Sequence, residues 1–554
     1  MPTLVLKVKR MSELLGREVT AKELEQIVPW LGVDIESVGS DYVKIEYNPN
    51  RPDFSSQEGV ARALRGFMEI ETGLPNYAVN PGSTVLKVDP SVLPVRRWIV
   101  SGIVRGLKLD EERISEIIEM EEALDWAIGR NRAISSIGLH NLDAVKPPFK
   151  YHAVHPDEIR FVPLDMDTEL SLREILKIHP KGIAYRHILE GAERYPIITD
   201  RDGNVLSFPP IINGVLTRVT ENTKNLFIEI TGTRLDAVSA ALNIFMTSLA
   251  EMGGRLESVR VEYPDRVLVT PDLSPSRWKL NLKNANKLLG LKLKPEEAAR
   301  CLEKMRLGVE CIGEELSVLV PAYRYDIMHE VDLIEEIAIG YGYFNLEPTL
   351  PGTASIAVEN PVQKIANKVR MIMIGFGFIE VVNFTLANYK EHFEYMLLEG
   401  NPVRILNPVS AEYNILRSSL LPCLLKVFAN NRHELFPQKI FEIGDVIVLD
   451  ETAETGAKRM LHLAGAITHS EANFTEIKSV AEGMLREIGV RNYLFTAVDH
   501  PSFIPGRCAE VKIEGRPIGV VGEIHPKVLN NFELEYPVAA FEYDLQFLLE
   551  RDRP

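Results

Sequence analysis

Three segments rich in proline, glycine and small polar residues interrupt the chain, and they constrain its fold more than any other feature. They lie at residues 75–83, 270–278 and 346–352. Such segments are typical of linkers because proline and glycine end helices and strands. A chain of 554 residues is also long enough for several domains of about 150 residues each. We therefore predict four domains, at residues 1–84, 85–269, 270–350 and 351–554.

The net charge of −16 argues against a general electrostatic attraction to nucleic acid. Any contact with RNA would then depend on local patches or on a partner chain. The 4 cysteines are scattered without a CxxC pair, which indicates reduced thiols and neither a zinc site nor a disulfide framework. The longest charge-free stretch, residues 237–250, is too short to span a membrane, and the first residues have the wrong charge order for a secretory signal. We expect a cytoplasmic protein without membrane association.

Residues 195–233 carry the pattern of a hairpin followed by a strand with one polar face. An Asp-Gly pair separates two apolar runs, and residues 225–233 alternate with period two. The alternation places Glu229 and Thr231 on one face, near Ser207 of the hairpin. A carboxylate and two hydroxyls on adjoining strands are typical of a small polar pocket that demands a hydrogen bond from its ligand. The pattern alone favours a simpler alternative, a solvent-facing sheet surface.

The segment RYDIMHEVDLIEEIAIGYGY, at residues 324–343, predicts a helix that carries a cluster of carboxylates. Asp332, Glu335 and Glu336 are spaced at i, i+3 and i+4 and therefore share one helix face, while Asp326 falls at the helix start. Clustered carboxylates repel one another unless a positive group joins them, and a magnesium ion or a basic partner surface would do so. Spacing alone favours a third interpretation, in which Asp326 caps the helix and the others form a solvent-exposed acidic face.

Other local patterns carry less information. Two capping boxes, Thr20 with Glu23 and Ser55 with Glu58, predict helix starts in the first domain. The basic run GRNR at residues 129–132 is suited to a phosphate contact, although a charged, solvated face is the simpler interpretation. The sequence contains no Walker loop, GxGxxG, HExxH or nucleophile elbow. From residues alone, the chain is a multidomain protein with one acidic cluster.

Several motifs along the whole chain resemble, in order, one known family. They are NPNRPD (48–53), PPIIN (209–213), TKNLFIEITG (223–232), PAYRYDIMHEVDLIEEIAIGYGY (321–343), SFIPGR (502–507) and GEIHP (522–526). The family is the beta subunit of phenylalanyl-tRNA synthetase. The resemblance is to its archaeal type, because the OB insertion and anticodon-binding module of the bacterial type find no match in this sequence. The acidic helix and the last two motifs are its most specific parts.

The resemblance implies an α+β multidomain subunit of an alpha2beta2 heterotetramer, a phenylalanine–tRNA ligase that attaches phenylalanine to tRNA(Phe). It implies an α/β editing domain, then a small helix–strand domain with the acidic helix, and last a class II synthetase-like antiparallel sheet domain without catalytic residues. ATP would be used by the complex and bound mainly by the alpha subunit. Magnesium would be bound at a site shared with that subunit, and the matching residues are Asp326, Asp332, Glu335 and Glu336.

In this family the editing domain hydrolyses tyrosine wrongly attached to tRNA(Phe). The resemblance places its pocket at Ser207, Glu229, Thr231 and Ile198, with Glu229 in place of the usual aspartate and Ile198 in place of leucine. Our hypothesis is that Glu229 accepts a hydrogen bond from the tyrosine phenol, while Thr231 and Ser207 position the ester and a water. Two alternatives stay open: a purely structural subunit whose pocket has decayed, and a free-standing tRNA-editing hydrolase without a partner.

Overall fold

The computed structural model describes residues 2–311, 315–350, 352–353 and 355–551. The chain divides into two compact units, Met1–Leu350 (unit 1) and Pro351–Pro554 (unit 2), and each mixes helices with strands. This confirms the coarse expectation of an α+β multidomain protein. The expected domain limits at residues 1, 351 and 554 lie outside the described residues.

The strands of unit 1 are β1 (Thr3–Lys7), β2 (Asp34–Val38), β3 (Tyr42–Glu46), β4 (Val79–Asn80), β5 (Val85–Val88), β6 (Trp98–Arg105), β7 (Ser135–Asn141), β8 (Phe149–Val154), β9 (Arg160–Phe161), β10 (Leu170–Ser171), β11 (Tyr195–Thr199), β12 (Val205–Phe208), β13 (Ile212–Asn213), β14 (Asn225–Gly232), β15 (Arg255–Glu262), β16 (Val267–Thr270), β17 (Ser276–Asn281), β18 (Gly308–Cys311) and β19 (Glu315–Val320). Its helices are α1 (Val8–Leu15), α2 (Ala21–Ile27), α3 (Gln57–Phe67), α4 (Glu111–Ala127), α5 (Leu172–Ile178), α6 (Pro180–Tyr185), α7 (Leu235–Glu251), α8 (Leu282–Leu289), α9 (Pro295–Lys304) and α10 (Glu330–Tyr341).

Unit 1 contains one large sheet and two small three-stranded sheets. The large sheet runs β13-β12-β11-β8-β5-β15-β6-β14-β7, and β4 and β16 also pair with β15. Strand β5 runs parallel to both β8 and β15, whereas β14 is antiparallel to both of its neighbours. The small sheets run β1-β3-β2 and β17-β19-β18, and β9 and β10 form a separate pair.

Strand β14 lies next to one end of the large sheet, and side chains on both of its faces are buried. On one face, three residues pack in a core with helix α7: Leu226, Ile228 and Ile230. On the other face, Phe227 contacts Phe149, with ring centroids 4.3 Å apart. Burial of each such side chain contributes roughly 1.5–3 kcal/mol, so a one-residue slip in register would be strongly disfavoured. The predicted alternation is confirmed, and it puts Glu229 and Thr231 on the Phe227 face.

The two ends of the large sheet meet, although many strands separate them in hydrogen-bonding order. Asn213 on β13 donates its side-chain amide to the Leu139 carbonyl on β7, at 3.3 Å. The Ser207 hydroxyl on β12 also donates across this gap, to the Glu229 carboxylate on β14 at 3.0 Å. The sheet is therefore curled, as the twist of its strands permits, and the curl encloses a space between its ends.

The segments expected to form the first and third domains share one hydrophobic core. Apolar residues between Leu6 and Leu64 pack with apolar residues between Leu280 and Ile339. Helices α3 and α9 approach so closely that a Cβ at Gly66 would collide with the carbonyl oxygen of Lys304. Sequence order conceals this core because the whole large sheet is inserted between its two contributors.

Two details complete unit 1. The hydroxyl of Thr20 accepts the N–H of Glu23, which confirms that predicted helix start. The other start is one residue later than predicted: Ser56, not Ser55, accepts the N–H of Gly59, at 3.1 Å. The reason is a short 3-10 turn that includes Ser55, whose own N–H bonds the carbonyl of Pro52.

The strands of unit 2 are β20 (Ile379–Glu380), β21 (Leu386–Ala387), β22 (Ile415–Leu416), β23 (Gln438–Leu449), β24 (Ala457–Thr468), β25 (Tyr493–Ala497), β26 (Phe503–Ile513), β27 (Arg516–Ile524) and β28 (Val538–Asp544). Its helices are α11 (Pro361–Gly375), α12 (Leu421–Asn430), α13 (Phe474–Glu487), α14 (Pro526–Asn531) and α15 (Gln546–Arg551). The main sheet runs β20-β23-β24-β28-β27-β26-β25, with β20 parallel to β23 and the remaining pairs antiparallel. Helices α11, α13 and α15 pack in one hydrophobic cluster with the sheet, and α12 packs in another. Among the described helices of both units, none is long and apolar enough to cross a membrane.

Candidate functional site

Glu229 is a buried carboxylate with one occupied and one open oxygen. The residue is 2% exposed, and its Oε1 accepts a hydrogen bond from the Ser207 hydroxyl at 3.0 Å. Its Oε2 has no hydrogen-bond partner among the described residues. An unsatisfied buried acceptor costs roughly 1–3 kcal/mol, and more if it is charged. The two residues that the sequence placed on adjoining strands therefore do meet, and they leave an acceptor for a donor from outside the chain.

Glu229 lines a cavity of about 300 Å³ at the meeting ends of the large sheet, which we call the sheet cavity. Its other walls come from β7, from helix α4 and from the segment after β12. The lining residues used below are Glu121, Arg132, Ser136, Phe208 and Pro210. A cavity of this size is at the lower end of the range for small-ligand sites. Ser207, Glu229 and Thr231 are all buried, so the simpler expectation of a solvent-facing surface is wrong.

His140 is a further polar residue beside Glu229 that the sequence pattern missed. It lies on β7, is 0% exposed, and its Nδ1 is 2.8 Å from the Thr217 hydroxyl. Its Nε2 is 3.7 Å from Glu229 Oε1, which is too long for a hydrogen bond. The available signal was the alternation of β7, which puts Ser136 and His140 on one face.

Thr231 and Ile198 are buried beside the site, and the pocket roles expected for them stay predictions. The Thr231 hydroxyl is 3.0 Å from Arg96 Nε and 3.1 Å from the Ser136 hydroxyl, and it is fully buried. Burial lowers the pKa of Arg96, which stays bonded to the carbonyl of Thr231 as well. Ile198 lies in the hydrophobic core directly opposite Ser207 in the β11–β12 pair. Thr231 thus holds Arg96 in place, and Ile198 packs behind Ser207.

Arg132, the last residue of the GRNR run, stabilises the cavity wall from inside the protein. Its Nη1 donates to the carbonyls of Pro210 and Ile211, at 3.3 and 3.1 Å. Its Nε lies 3.0 Å from Asp125, and burial raises the pKa of that carboxyl. Burial likewise raises the pKa of the cavity-lining Glu121, and Asp125 adds to the rise. For Arg132, the expectation of a solvated face is wrong because the residue is buried, and the phosphate contact stays a prediction.

The acidic segment of unit 1 begins its helix later than the sequence indicated. Helix α10 starts at Glu330, and His329 is the N-cap, whose Nδ1 accepts the N–H of Val331 at 3.2 Å. Asp332 Oδ2 accepts the backbone N–H groups of Met328 and His329, both at 2.7 Å. Asp332 therefore caps the helix start, and the expectation that Asp326 does so is wrong.

Arg324 binds two of the four predicted acids. Its guanidinium donates to both Asp326 oxygens, at 2.8 and 2.6 Å, and to both Glu336 oxygens, at 3.0 and 2.6 Å. Arg51 lies 4.0 Å from Glu336. Burial opposes the charge, but the two carboxylates raise the pKa of Arg324 well above its usual value. We call these four residues the Arg324 cluster. Glu336 is 3% exposed, so it does not belong to a solvated acidic face.

The four acids predicted to bind magnesium do not, as placed, form a site for that ion. Asp326 and Glu336 hold Arg324, Asp332 holds backbone N–H groups, and Glu335 faces solvent. Within the described part of the chain, no group of three or more His, Cys, Asp or Glu residues is arranged to hold a metal ion. Magnesium requires near-octahedral oxygens at about 2.0–2.1 Å. The positive group that clustered carboxylates require is supplied by Arg324, and the metal assignment stays a prediction.

Family models match most of the chain. A model described as the phenylalanyl tRNA synthetase beta chain CLM domain matches residues 346–545. A tRNA synthetase B5 domain model matches residues 278–343, and a B3/4 domain model matches residues 111–247. The sheet-cavity residues named above fall within the B3/4 match, and most of the Arg324 cluster falls within the B5 match.

Known proteins are similar to this chain over nearly its whole length. The phenylalanine–tRNA ligase beta subunit of Methanothrix thermoacetophila is 45% identical over 98% of this chain and 100% of its own. The protein of the same name from Archaeoglobus fulgidus is 46% identical over 98% of both chains. A crystal structure of an N-terminal fragment of the phenylalanyl-tRNA synthetase beta-subunit from Pyrococcus horikoshii is 40% identical, with a TM-score of 0.60. It covers 61% of this chain and 99% of that fragment.

Proposed function

The chain belongs to the family of phenylalanine–tRNA ligase beta subunits, and on that premise we propose two activities for it. In complex with an alpha subunit, it supports the ATP-dependent attachment of phenylalanine to tRNA(Phe). In the sheet cavity, it hydrolyses tyrosine from wrongly charged tRNA(Phe). The observation that carries the second activity is the open Oε2 of the buried Glu229 at the cavity wall.

The proposed selectivity follows from that open acceptor. The tyrosyl phenol donates its O–H to Glu229, whereas a phenylalanyl ring leaves the carboxylate without a donor. A site whose buried polar groups stay unpaired with the wrong substrate discriminates by roughly 10⁴-fold or more. Ser207 serves this selectivity by holding Oε1 in place.

Hydrolysis itself depends mainly on positioning. Water attacks the ester carbonyl, its proton passes to the departing ribose oxygen, and tyrosine and tRNA are released. Glu121 lines the same cavity, and its raised pKa lets it exchange a proton near neutral pH. Thr231 contributes indirectly, since its hydroxyl holds Arg96 and Ser136.

Unit 2 supports the proposal of an alpha-subunit partner. Around β20 and β21 it exposes a series of apolar side chains, with Ile379, Val382 and Phe384 at 68%, 87% and 74% exposure. Large exposed apolar patches are typical of protein interfaces. We assign this surface to the alpha subunit of an alpha2beta2 heterotetramer. The same surface argues against a free-standing hydrolase, which would gain nothing from it.

ATP and magnesium belong to the proposed reaction of the complex, and ATP is bound mainly by the alpha subunit. Contact with tRNA(Phe) would be shared with that subunit, because this chain has a net charge of −16. No step is assigned to an ion at the Arg324 cluster, since a guanidinium holds its carboxylates.

The test follows both activities together, with the chain alone and co-purified with its cognate alpha subunit. Phenylalanine charging is expected only with the partner. Deacylation of Tyr-tRNA(Phe) is expected to fall by about 100-fold or more in Glu229→Ala, because the phenol loses a charged acceptor. Glu190→Ala, an exposed glutamate of the same unit, is the matched control and should retain full activity.

Two results would refute parts of the proposal. Normal clearance of Tyr-tRNA by Glu229→Ala would show that the carboxylate has no such role, and no hydrolysis by the intact complex would favour a purely structural subunit. Charging that needs no partner would refute the assembly. Val382→Asp, compared with the exposed Val269→Asp in unit 1, tests whether the unit 2 surface binds the alpha subunit.

A further inference from the structure

Two neighbouring buried side chains beside the sheet cavity each have one polar atom without a partner. Glu229 Oε2 and His140 Nε2 make no hydrogen bond to any described residue, although both side chains are almost completely buried. The nearest approach of the two side chains, 3.7 Å between Nε2 and Oε1, leaves them unbonded. Buried polar groups without partners are rare in native proteins, and each needs an explanation. A ligand group that bonds both atoms provides one.

The tautomer of His140 decides what this ligand group must be. The Thr217 hydroxyl lies 2.8 Å from His140 Nδ1 and 3.3 Å from the Gly214 carbonyl, and either imidazole tautomer can bond it. The Glu229 carboxylate decides between the tautomers, because a lone pair on Nε2 would face Oε1 at 3.7 Å and be repelled. We therefore assign the imidazole hydrogen to Nε2, so that Nδ1 accepts the Thr217 hydroxyl. The pair therefore presents one donor and one acceptor.

Gly138 keeps the space next to this pair free. It lies on β7, directly opposite Glu229 on β14 and two residues before His140. A Cβ at this position would collide with Glu229 Oε1 and lie 3.1 Å from His140 Nε2. Any larger residue would push the two side chains out of their present positions.

We propose that His140 and Glu229 form a donor–acceptor pair that receives the para-hydroxyl group of a tyrosyl ester. The His140 Nε2–H donates to the phenol oxygen, and the phenol O–H donates to Glu229. His140 Nε2 lies 3.7 Å from Oε1 of the same carboxylate, so the donor and the open acceptor belong to neighbouring side chains. The inference deepens the hydrolytic function proposed above and rests on it, because it names the second group that recognises the substrate.

This arrangement uses both hydrogen-bonding capacities of a hydroxyl. A phenylalanyl group leaves two buried protein groups unpaired, where Glu229 alone would leave one. Thr217 acts as a positioning residue, since its hydroxyl bonds Nδ1 and holds the orientation of the ring. Selectivity for tyrosine therefore depends on His140 as well as on the carboxylate.

The kinetic experiment measures kcat/KM for Tyr-tRNA(Phe) deacylation with the full chain in complex with its alpha subunit. His140→Leu, which removes the donor, is expected to lower it by about 10- to 100-fold. His140→Gln retains an amide N–H and is expected to recover most of that loss. His433→Leu, an exposed histidine of unit 2, is the matched control. Unchanged charging and an unchanged melting temperature show that the variants fold.

A binding experiment separates this inference from the hydrolytic function. Calorimetry on the same proteins compares L-tyrosine methyl ester with L-phenylalanine methyl ester. Wild type is expected to bind the tyrosine ester more tightly, and His140→Leu is expected to lose most of that preference. If Glu229 is needed for hydrolysis but His140→Leu keeps the preference, the donor–acceptor pair is refuted and the function stands.

The remaining outcomes are equally decisive. A His140-dependent preference without any hydrolysis would support the pair and refute the hydrolytic function. Equal binding of the two esters by wild type would overturn the pair, whatever the deacylation assay shows.

Discussion

Two buried glutamates of unit 1, Glu336 and Glu229, show opposite uses of the same side chain. Both are almost fully buried. Arg324 bonds both oxygens of Glu336 and both oxygens of Asp326, so each of these oxygens already has a charged partner. Glu229 has a partner on one oxygen only and lines a cavity. A buried carboxylate therefore indicates a binding site only when one of its acceptors is open toward a space.

The largest loss of stability is expected at the Arg324 cluster, where the buried carboxylates already have a cationic partner. Arg324→Met leaves Asp326 and Glu336 buried without their cation and should lower the free energy of unfolding of unit 1 by about 3–5 kcal/mol. Tryptophan fluorescence during denaturation by urea measures it, because all 4 tryptophans lie in unit 1. Arg186→Met, at an exposed arginine, is the matched control.

The same variant sharpens the comparison by testing for a metal. With the guanidinium removed, magnesium has access to the carboxylates and should restore part of the lost stability, whereas wild type should not respond. Stabilisation of wild type by millimolar magnesium would show that the ion binds despite Arg324, and the predicted metal site would then regain support.

A smaller loss of stability is expected on substitution of Gly138, which lies beside Glu229 and its open oxygen. Gly138→Ala forces a Cβ against the Glu229 carboxylate and should cost about 1–3 kcal/mol through overpacking. Deacylation of Tyr-tRNA should fall much more than stability, because the recognising groups are displaced. Gly375→Ala, where a Cβ meets no atom within 4 Å, should change neither measurement. A stable and fully active Gly138→Ala would contradict the proposed geometry.

The smallest effect concerns the pH dependence of the cavity wall. Burial raises the pKa of Glu121, so the folded state keeps a proton that the unfolded chain loses above about pH 4–5. The free energy of unfolding should therefore fall as pH rises from about 5 toward the raised pKa. Glu121→Gln should make this slope shallower and stabilise the protein at pH 8 by on the order of 1 kcal/mol.

Denaturation at several pH values checks this prediction. Asp125 also has a raised pKa and should preserve part of the slope in the variant. The exposed Glu190→Gln should leave the slope unchanged. An identical slope in wild type and Glu121→Gln would mean that Glu121 is ionised in the folded protein.

The features of the site that were predicted correctly from the sequence are those that depend on local periodicity. The alternation of β14 put Glu229 on the correct face, and the hairpin pattern brought Ser207 beside it. The prediction missed His140 and Gly138, because β7 pairs with β14 across a long stretch of the chain, and it did not predict that Arg132 of the GRNR run is buried. No local pattern encodes the pairing of two strands that lie far apart in the sequence.

The acidic segment teaches a different lesson, because its missing partner was only two residues from Asp326. The prediction considered only the acids at helical spacing and left out Arg324, although the same motif contains it. A cation within the motif is a simpler source of positive charge than a bound ion. The misplaced start at Ser55 has a local cause too, since a 3-10 turn postponed the helix by one residue.

The core shared by residues near Leu6–Leu64 and Leu280–Ile339 has a consequence for protein synthesis. The early segment leaves the ribosome long before its packing partners are translated. At about 5–20 residues per second, this delay lasts on the order of ten seconds or more. During that time its apolar side chains have no native surface to cover them and are open to chaperones. The inserted sheet needs neither end of unit 1 for its own strand pairing, so it is positioned to fold first and to bring the two ends together.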